Sequence, residues 1–201
     1  MDNEWTIKPK VGFGLISFGM DTNQVAAFSS VYGPLETVTE DADQALGLDD
    51  TLAFFSQFAS QEDIAAVRGA IEDKAAQRGR QEIFNNGRVF VIYEADRVVS
   101  IMASSRESRT NFKDISVFDT AAVDVLRLFE KANGAPGRYR STQAAFDHIG
   151  VSLDAFSLVE SGKVQALTAS DERFRERTIE VRKEAYISPE EAGSFVVHSV
   201  F

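Results

Sequence analysis

The sequence contains no cysteine, which excludes disulfides, thiolate metal sites and a cysteine nucleophile, and fits a reducing compartment. Histidine is nearly absent too: His148 and His198 are the two imidazoles, far apart and outside any H-x-H or H-E-x-x-H pattern, so both read as structural or surface residues. There is no G-x-S-x-G elbow, and Gly12, Gly14 and Gly19 match neither G-x-G-x-x-G nor the phosphate-binding loop pattern. The longest apolar run, Val11 to Phe18, is far short of the roughly 18 residues that span a bilayer. Met1-Asp2-Asn3-Glu4-Trp5 starts acidic where a signal peptide is basic. These absences lead us to expect a cytoplasmic protein with no membrane role, no metal and no cofactor.

What remains is an ordinary globular composition: 201 residues, 44% hydrophobic and 26% charged. That length suits one large domain or two small ones sharing a core. Acidic residues outnumber basic ones by 31 to 21, giving a net charge of -10, so direct nucleic-acid binding would work against phosphate repulsion. Glu36, Glu40, Asp41, Asp43, Asp49 and Asp50 fall within fifteen residues that hold no Lys or Arg. The run reads either as a solvated loop or as a docking surface for a basic partner. Calcium fails on spacing: in a loop starting at Asp41, Ala45 and Leu46 occupy the positions that need an oxygen ligand and a glycine. The carboxylate pairs Asp41 with Asp43 and Glu190 with Glu191 lie in polar stretches that would not separate their pKa values, so they carry no acid-base chemistry. Phe54, Phe55 and Phe58 stand at helical spacing and read as core; Trp5 fits either a staple for the N-terminal segment or an interface.

The chain also repeats itself. Ile16-Ser17-Phe18-Gly19-Met20-Asp21-Thr22, followed by Val25, Phe28 and Gly33-Pro34, has a counterpart in Ile115-Ser116-Val117-Phe118-Asp119-Thr120, followed by Val123, Leu126, Phe129 and Gly134-Ala135-Pro136. Asp96 to Ser104 aligns without a gap on Gly162 to Ser170. Asp21 and Asp119, or the Thr beside each, are expected helix N-caps. Ala122, Val125, Leu126, Phe129 and Ala132 recur at helical intervals over 120–132, ending at Asn133-Gly134. An insertion over about 38–80 contains a helical pair, one helix capped by Asp50 with Leu52, Phe55 and Phe58 on a face, the other opened by Ser60 with Ile64, Val67 and Ile71 in register. The turns Asn86-Gly87 and Ala95-Asp96 set up an antiparallel meander from Glu82 to Met102. Gly150 to Val159 and Val164 to Thr168 form its counterpart around Ser161-Gly162, with further strands at 178–181 and 195–200. Ser188-Pro189-Glu190-Glu191 has the pattern of a capping box for a short helix. The stretch 174–186 is open between strand and helix.

The segment Gly14-Leu15-Ile16-Ser17-Phe18-Gly19-Met20-Asp21, then Val25 and Tyr32-Gly33-Pro34, resembles the opening of repeats in the beta-lactamase-inhibitor-protein-like superfamily, which includes the small outer-membrane assembly lipoproteins. It is similar also to uncharacterised bacterial proteins, often encoded beside polymorphic toxins, that are regarded as immunity proteins. The resemblance implies units that pair helices with a short antiparallel sheet. The chain departs from the lipoproteins in lacking an anchor cysteine and signal, in its helical insertion, and in Val117-Phe118 standing where a Gly-Met pair is expected. No functional residue is carried over, because a fold analogy does not carry a site.

The expected fold is therefore α+β, with two related units, 1–110 and 111–201, each a helix or helical pair on a short antiparallel sheet. The expected function is non-enzymatic: an immunity protein that neutralises a cognate bacterial toxin, preferably a basic nuclease, by covering its active site. Glu36, Glu40, Asp41, Asp43, Asp49 and Asp50 are the candidate contact residues. The alternatives are a self-associating structural or regulatory protein, and a ligand-binding protein or enzyme with a pocket between two sheets.

Overall fold

A computed structural model of the chain describes residues 3–40, 48–56, 58–76, 79–184, 187 and 191–201. At the N-terminal end, β1 (Ile7–Lys8), β2 (Gly12–Phe13) and β3 (Ile16–Ser17) pair antiparallel as a small ribbon. A Cβ on Gly12, at φ +152°, would lie 2.1 Å from the Ile16 carbonyl oxygen, so the ribbon requires glycine there. Trp5 is fully buried, edge-on to Phe13 and Tyr32 at 6.0 and 5.2 Å. Of its two expected roles, stapling the N-terminal segment is the one the fold uses.

Two short helices follow, α1 (Thr22–Ala26) and α2 (Ser29–Tyr32). Asp21 caps α1 as expected: its carboxylate accepts the Gln24 N–H at 3.0 Å, while the Gln24 side chain accepts the Asp21 N–H at 3.0 Å. The chain continues through β4 (Leu35–Glu40), α3 (Leu48–Phe55), α4 (Gln61–Ala76), β5 (Arg80–Phe84), β6 (Val89–Glu94) and β7 (Arg97–Ser104). The expected helical pair thus lies between two neighbouring strands. Ser60 caps α4, accepting the Asp63 N–H at 3.2 Å. However, α3 begins at Leu48, ahead of the Asp50 expected to cap it. Leu52 is buried, yet Phe54, Phe55 and Phe58 are 60, 52 and 77% exposed, against the expectation of core. Leu52, Phe55, Ile64 and Val67 line a seam between the two helices, while Phe54 makes edge-on ring contacts with Phe55 and Phe58 at 5.9 and 5.8 Å.

Both expected hairpin turns are present. Asn85, Asn86 and Gly87 have positive φ, as do Ala95 and Asp96 at 47 and 61°, the geometry that matches the twist of flanking strands.

The second half opens with β8 (Asn111–Phe112) and β9 (Ile115–Ser116), then α5 (Ala122–Asn133). Ala122, Val125, Leu126 and Phe129 of α5 are buried, and Gly134 ends the helix in the left-handed region at φ 69°. Asp119 does not cap α5. The N-cap position is Ala121, which offers no side-chain cap, and the Asp119 carboxylate instead accepts the Ser116 hydroxyl at 2.9 Å. The strands β10 (Gly137–Arg140) and β11 (Gln143–Phe146) follow, with no expectation for them in the sequence reading. The expected strand from Gly150 to Val159 is two: β12 (Val151–Asp154) and β13 (Ser157–Glu160), broken where Ala155 takes φ 58°. Next come β14 (Lys163–Ala166), a 3-10 turn at Glu172–Glu176, β15 (Thr178–Arg182) and, after a 3-10 turn at Ala192–Ser194, β16 (Val196–His198). The proposed capping-box residues Ser188, Pro189 and Glu190 lie outside the described residues. The gapless alignment of 96–104 on 162–170 is not a structural equivalence: β7 sits inside the main sheet, whereas β14 pairs with β13 in a separate hairpin.

The protein is α+β, built on one nine-stranded antiparallel sheet in the order β16-β10-β11-β12-β15-β7-β6-β5-β4. Partners across an antiparallel ladder share a face. Val91, Ile101, Val181, Val151 and Phe146 therefore form a continuous row, through the registers Val91↔Ile101, Ile101↔Val181, Val181↔Val151 and Val151↔Phe146. That face packs against α5, Val25 of α1 and the Trp5 cluster as one core.

Between the halves, the Glu107 carboxylate is 1% exposed. Arg109 grips it with two nitrogens at 2.6 and 2.8 Å, and Arg88 stands 3.6 Å away. The Arg109 guanidinium also lies 4.0 Å over the Trp5 ring. Burial pushes the Glu107 carboxyl up, but the hydrogen bonds of Arg109 and the charges of Arg109 and Arg88 outweigh it and hold the group below its ordinary 4.5. A depressed folded pKa means the ionised group stabilises the fold fully above pH 4.5 and loses that contribution as pH falls through the lower folded value. Arg109→Ala is expected to cost about 2–3 kcal/mol by leaving a buried carboxylate short of a partner, measured by denaturant unfolding at pH 7. Glu107→Gln should flatten the acid limb of a melting-temperature-against-pH profile relative to the unsubstituted protein.

Candidate binding surface

The face of the sheet opposite the core changes character along its length. Ile83 on β5, Phe90 and Ile92 on β6 and Met102 on β7 are apolar and half-buried. In the middle, Glu180 of β15 receives hydrogen bonds from Ser100 at 2.5 Å and Ser152 at 3.4 Å. At the far end the C-terminal segment crosses the face, packing Ile187 and Phe195 against Ala145 of β11. Arg140 stacks on Phe195 at 4.5 Å and donates to the Ser194 hydroxyl at 3.1 Å. After β16 the chain folds onto α5, where buried Glu130 accepts the Ser199 hydroxyl at 2.5 Å and the Val200 N–H at 2.8 Å. This end of the sheet is covered by the protein itself.

The opposite end is different. β4 is the terminal strand, and all six of its residues are exposed. Glu36 and Glu40, two of the six candidate contact residues, lie on it. Asp49 and Asp50 lie in the first turn of α3, and Asp41 and Asp43 lie outside the described residues. The strand is fixed at both ends. A Cβ on Gly33 would come within 2.7 Å of Asn85, and the Asn85 N–H bonds the Pro34 carbonyl at 3.1 Å. Glu36 accepts the Asn86 N–H at 2.7 Å, and Glu40 meets Arg80 at 3.1 Å.

Arg80 corrects the impression of an unrelieved anionic run. No cation is near in sequence, but the β4·β5 register Glu40↔Arg80 brings one in from across the ladder. Arg80 also bonds Glu82 at 2.7 Å, and Glu82, 3% exposed, accepts the Tyr93 hydroxyl at 2.7 Å. Burial lowers the Arg80 pKa, but the hydrogen bond and charge of Glu82, then the charge of Glu40, override it and leave it raised. Burial, followed by the hydrogen bond and charge of Glu82, drives the Tyr93 phenol up. The exposed Glu40–Arg80 contact contributes about 0–1 kcal/mol, so it orients more than it stabilises. Glu36 has an unshared surface orientation apart from its Asn86 contact, and Glu40 keeps a half-exposed carboxylate. No pattern in the sequence marks Arg80, Glu82 and Tyr93 as a cluster; only pairing of β4, β5 and β6 assembles them.

Both histidines make local contacts. His148 places Nδ1 3.0 Å from the Asn133 carbonyl, and its backbone N–H donates to Asn133 Oδ1 at 2.9 Å. His198 stands edge-on to Tyr139 at 6.1 Å. A cavity of about 380 Å³ beside the start of α5, lined by Ala122, Leu167, Thr168 and Phe174 among others, contains neither histidine. Among the described residues no group of three or more His, Asp or Glu is placed to hold a metal ion, and no helix is long and apolar enough to cross a membrane.

Comparison of the chain with family models, curated proteins and solved structures finds no match.

Tyr93→Phe removes the hydroxyl that Glu82 accepts while keeping the ring. It is expected to cost about 1–2 kcal/mol, read as a lower denaturant midpoint with an unchanged slope.

Proposed function

We propose that this chain is a non-enzymatic protein-binding protein that neutralises a cognate bacterial toxin, with a basic nuclease as the preferred partner, by laying an acidic surface over the toxin's active site. The observation that carries this reading is β4: a terminal strand whose six residues are all exposed, with Glu36 and Glu40 on it, leading directly in sequence to Asp41, Asp43, Asp49 and Asp50. A net charge of -10 adds long-range attraction for a basic partner and repels nucleic acid. The opening-motif resemblance supplies the toxin; the charge supplies its sign.

The reading includes a tandem of two related units. Its support is the strand order counted outward from the middle of the sheet: β7-β6-β5-β4 on one side and β15-β12-β11-β10 on the other. Each set follows a small hairpin and helical structure, β2–β3 with α1 and α2, and β8–β9 with α5. In this frame β7 corresponds to β15. The α3–α4 pair is an insertion between β4 and β5, whose counterparts β10 and β11 are joined by Ser141 and Thr142 alone. The β13–β14 hairpin is a second insertion, where β6 and β7 are joined by Ala95-Asp96.

The test is association with the protein encoded beside this one. Replacing Glu40, Asp41 and Asp43 together by Lys is expected to slow association about tenfold at low ionic strength, the gap closing as salt is raised. Stopped-flow or surface-plasmon measurement of both rate constants checks this; an unchanged association rate removes the acidic segment from the interface.

A further inference from the structure

The proposed acidic surface begins on a strand with an unpaired side, and this gives the partner a shape as well as a charge. We infer that β4 binds an extended, basic segment of the partner protein as an additional strand of the sheet. The inference rests on the reading above and specifies how that surface engages.

The backbone fixes which groups are free. The Asn85 N–H bonds the Pro34 carbonyl across the β4·β5 pair, so the backbone polar groups of Asn85 face β4. The ladder has a register shift between Leu35 and Thr37, but the extra residue is on β4, so alternation along β5 is unbroken and the groups of Ile83 and Gln81 face β4 too. Their register partners are Thr37 and Thr39. The N–H and C=O groups of Val38 and Glu40 therefore point away from β5, into the open side of the strand. All six residues of β4 are exposed, and β5 is its sole neighbour among the described strands. An unpaired row of this kind is a template for strand addition. It is also preorganised: Gly33 packed on Asn85, Glu36 held by the Asn86 N–H and Glu40 held by Arg80 keep the strand extended, so little ordering is needed on binding.

Charge selects the occupant. No Lys or Arg lies between Lys10 and Arg68, while that interval contains Asp21, Glu36, Glu40, Asp41, Asp43, Asp49, Asp50, Glu62 and Asp63. A second copy of the chain is disfavoured, because two β4 strands paired antiparallel about Val38 would set Glu36 against Glu40 twice and bring together two bodies of net charge -10. A segment with Lys or Arg opposite the glutamates meets neither penalty. Acidic side chains on the free edge thus block self-pairing and admit a basic strand.

The experiment uses the full chain, isotope-labelled, with a soluble peptide of about ten residues alternating Lys and Val as probe and one alternating Glu and Val as control. Saturation with the Lys peptide is expected to slow amide hydrogen exchange at Val38 and Glu40 by about tenfold or more, with no effect from the Glu peptide. Val38→Pro deletes an outward N–H while keeping the bonds to β5; it should weaken binding of the Lys peptide about tenfold with the exchange pattern of β5 and β6 unchanged. The Lys triple variant at Glu40, Asp41 and Asp43 should weaken it also. If the triple variant loses affinity while Val38→Pro binds normally and the Val38 amide stays unprotected, charge docking stands and strand addition is overturned. If neither variant alters binding, the surface itself is wrong and both readings fall. A concentration-dependent dimer that protects Val38 without peptide would overturn the choice of occupant.

Discussion

The architecture depends on the pairing of β7 with β15. Residues 100–104 meet 178–182 in unbroken antiparallel register, with Met102 opposite Glu180. These two strands come from opposite halves of the chain, and their ladder turns two meanders into one sheet. The hydrophobic row through Ile101 and Val181 is continuous only because of it, so α5, the N-terminal ribbon and the sheet share a single core. On the other face, Ser100 reaches across the same ladder to Glu180, pinning the register with a polar contact that a slip of one residue would lose. The position of this ladder in the middle also sends β4 and β16 to the two outer limits of the sheet.

Much of the fold was legible where local signals agree. The α5 stripe, its glycine stop, the Asn86-Gly87 and Ala95-Asp96 turns and the Asp21 cap are each set by residues close in sequence, and each is found. The misses come from elements defined by distant partners. β10, Gly-Arg-Tyr-Arg, buries alternate residues between β11 and β16 but carries two arginines and no β-branched residue, so its strand character comes from the sheet. Ala155 takes a left-handed conformation that no local signal requires, splitting one expected strand into two. The same limit produced the wrong strand alignment, since similarity between Val98–Ala103 and Val164–Ala169 says nothing about which strand each segment pairs with.

The candidate surface was partly readable for the same reason. Glu36 and Glu40 stand out in sequence as part of an acidic run. Their placement on an outermost strand, and the arrival of Arg80 beside Glu40, depend on pairing with a segment 40 residues further along the chain. Within this cluster, the buried Glu82 satisfies both Arg80 and Tyr93, so the strand geometry beside the surface is set by one carboxylate.

The two margins of the sheet are treated unequally. One is occupied by the chain's own last strand, three residues long, whose continuation is drawn down onto α5 by Glu130 and Arg127. The other is six residues long and bare. Both margins are edge strands, yet the sheet is asymmetric: the longer and barer edge is β4, and the shorter one runs into a segment tied to the helix behind it.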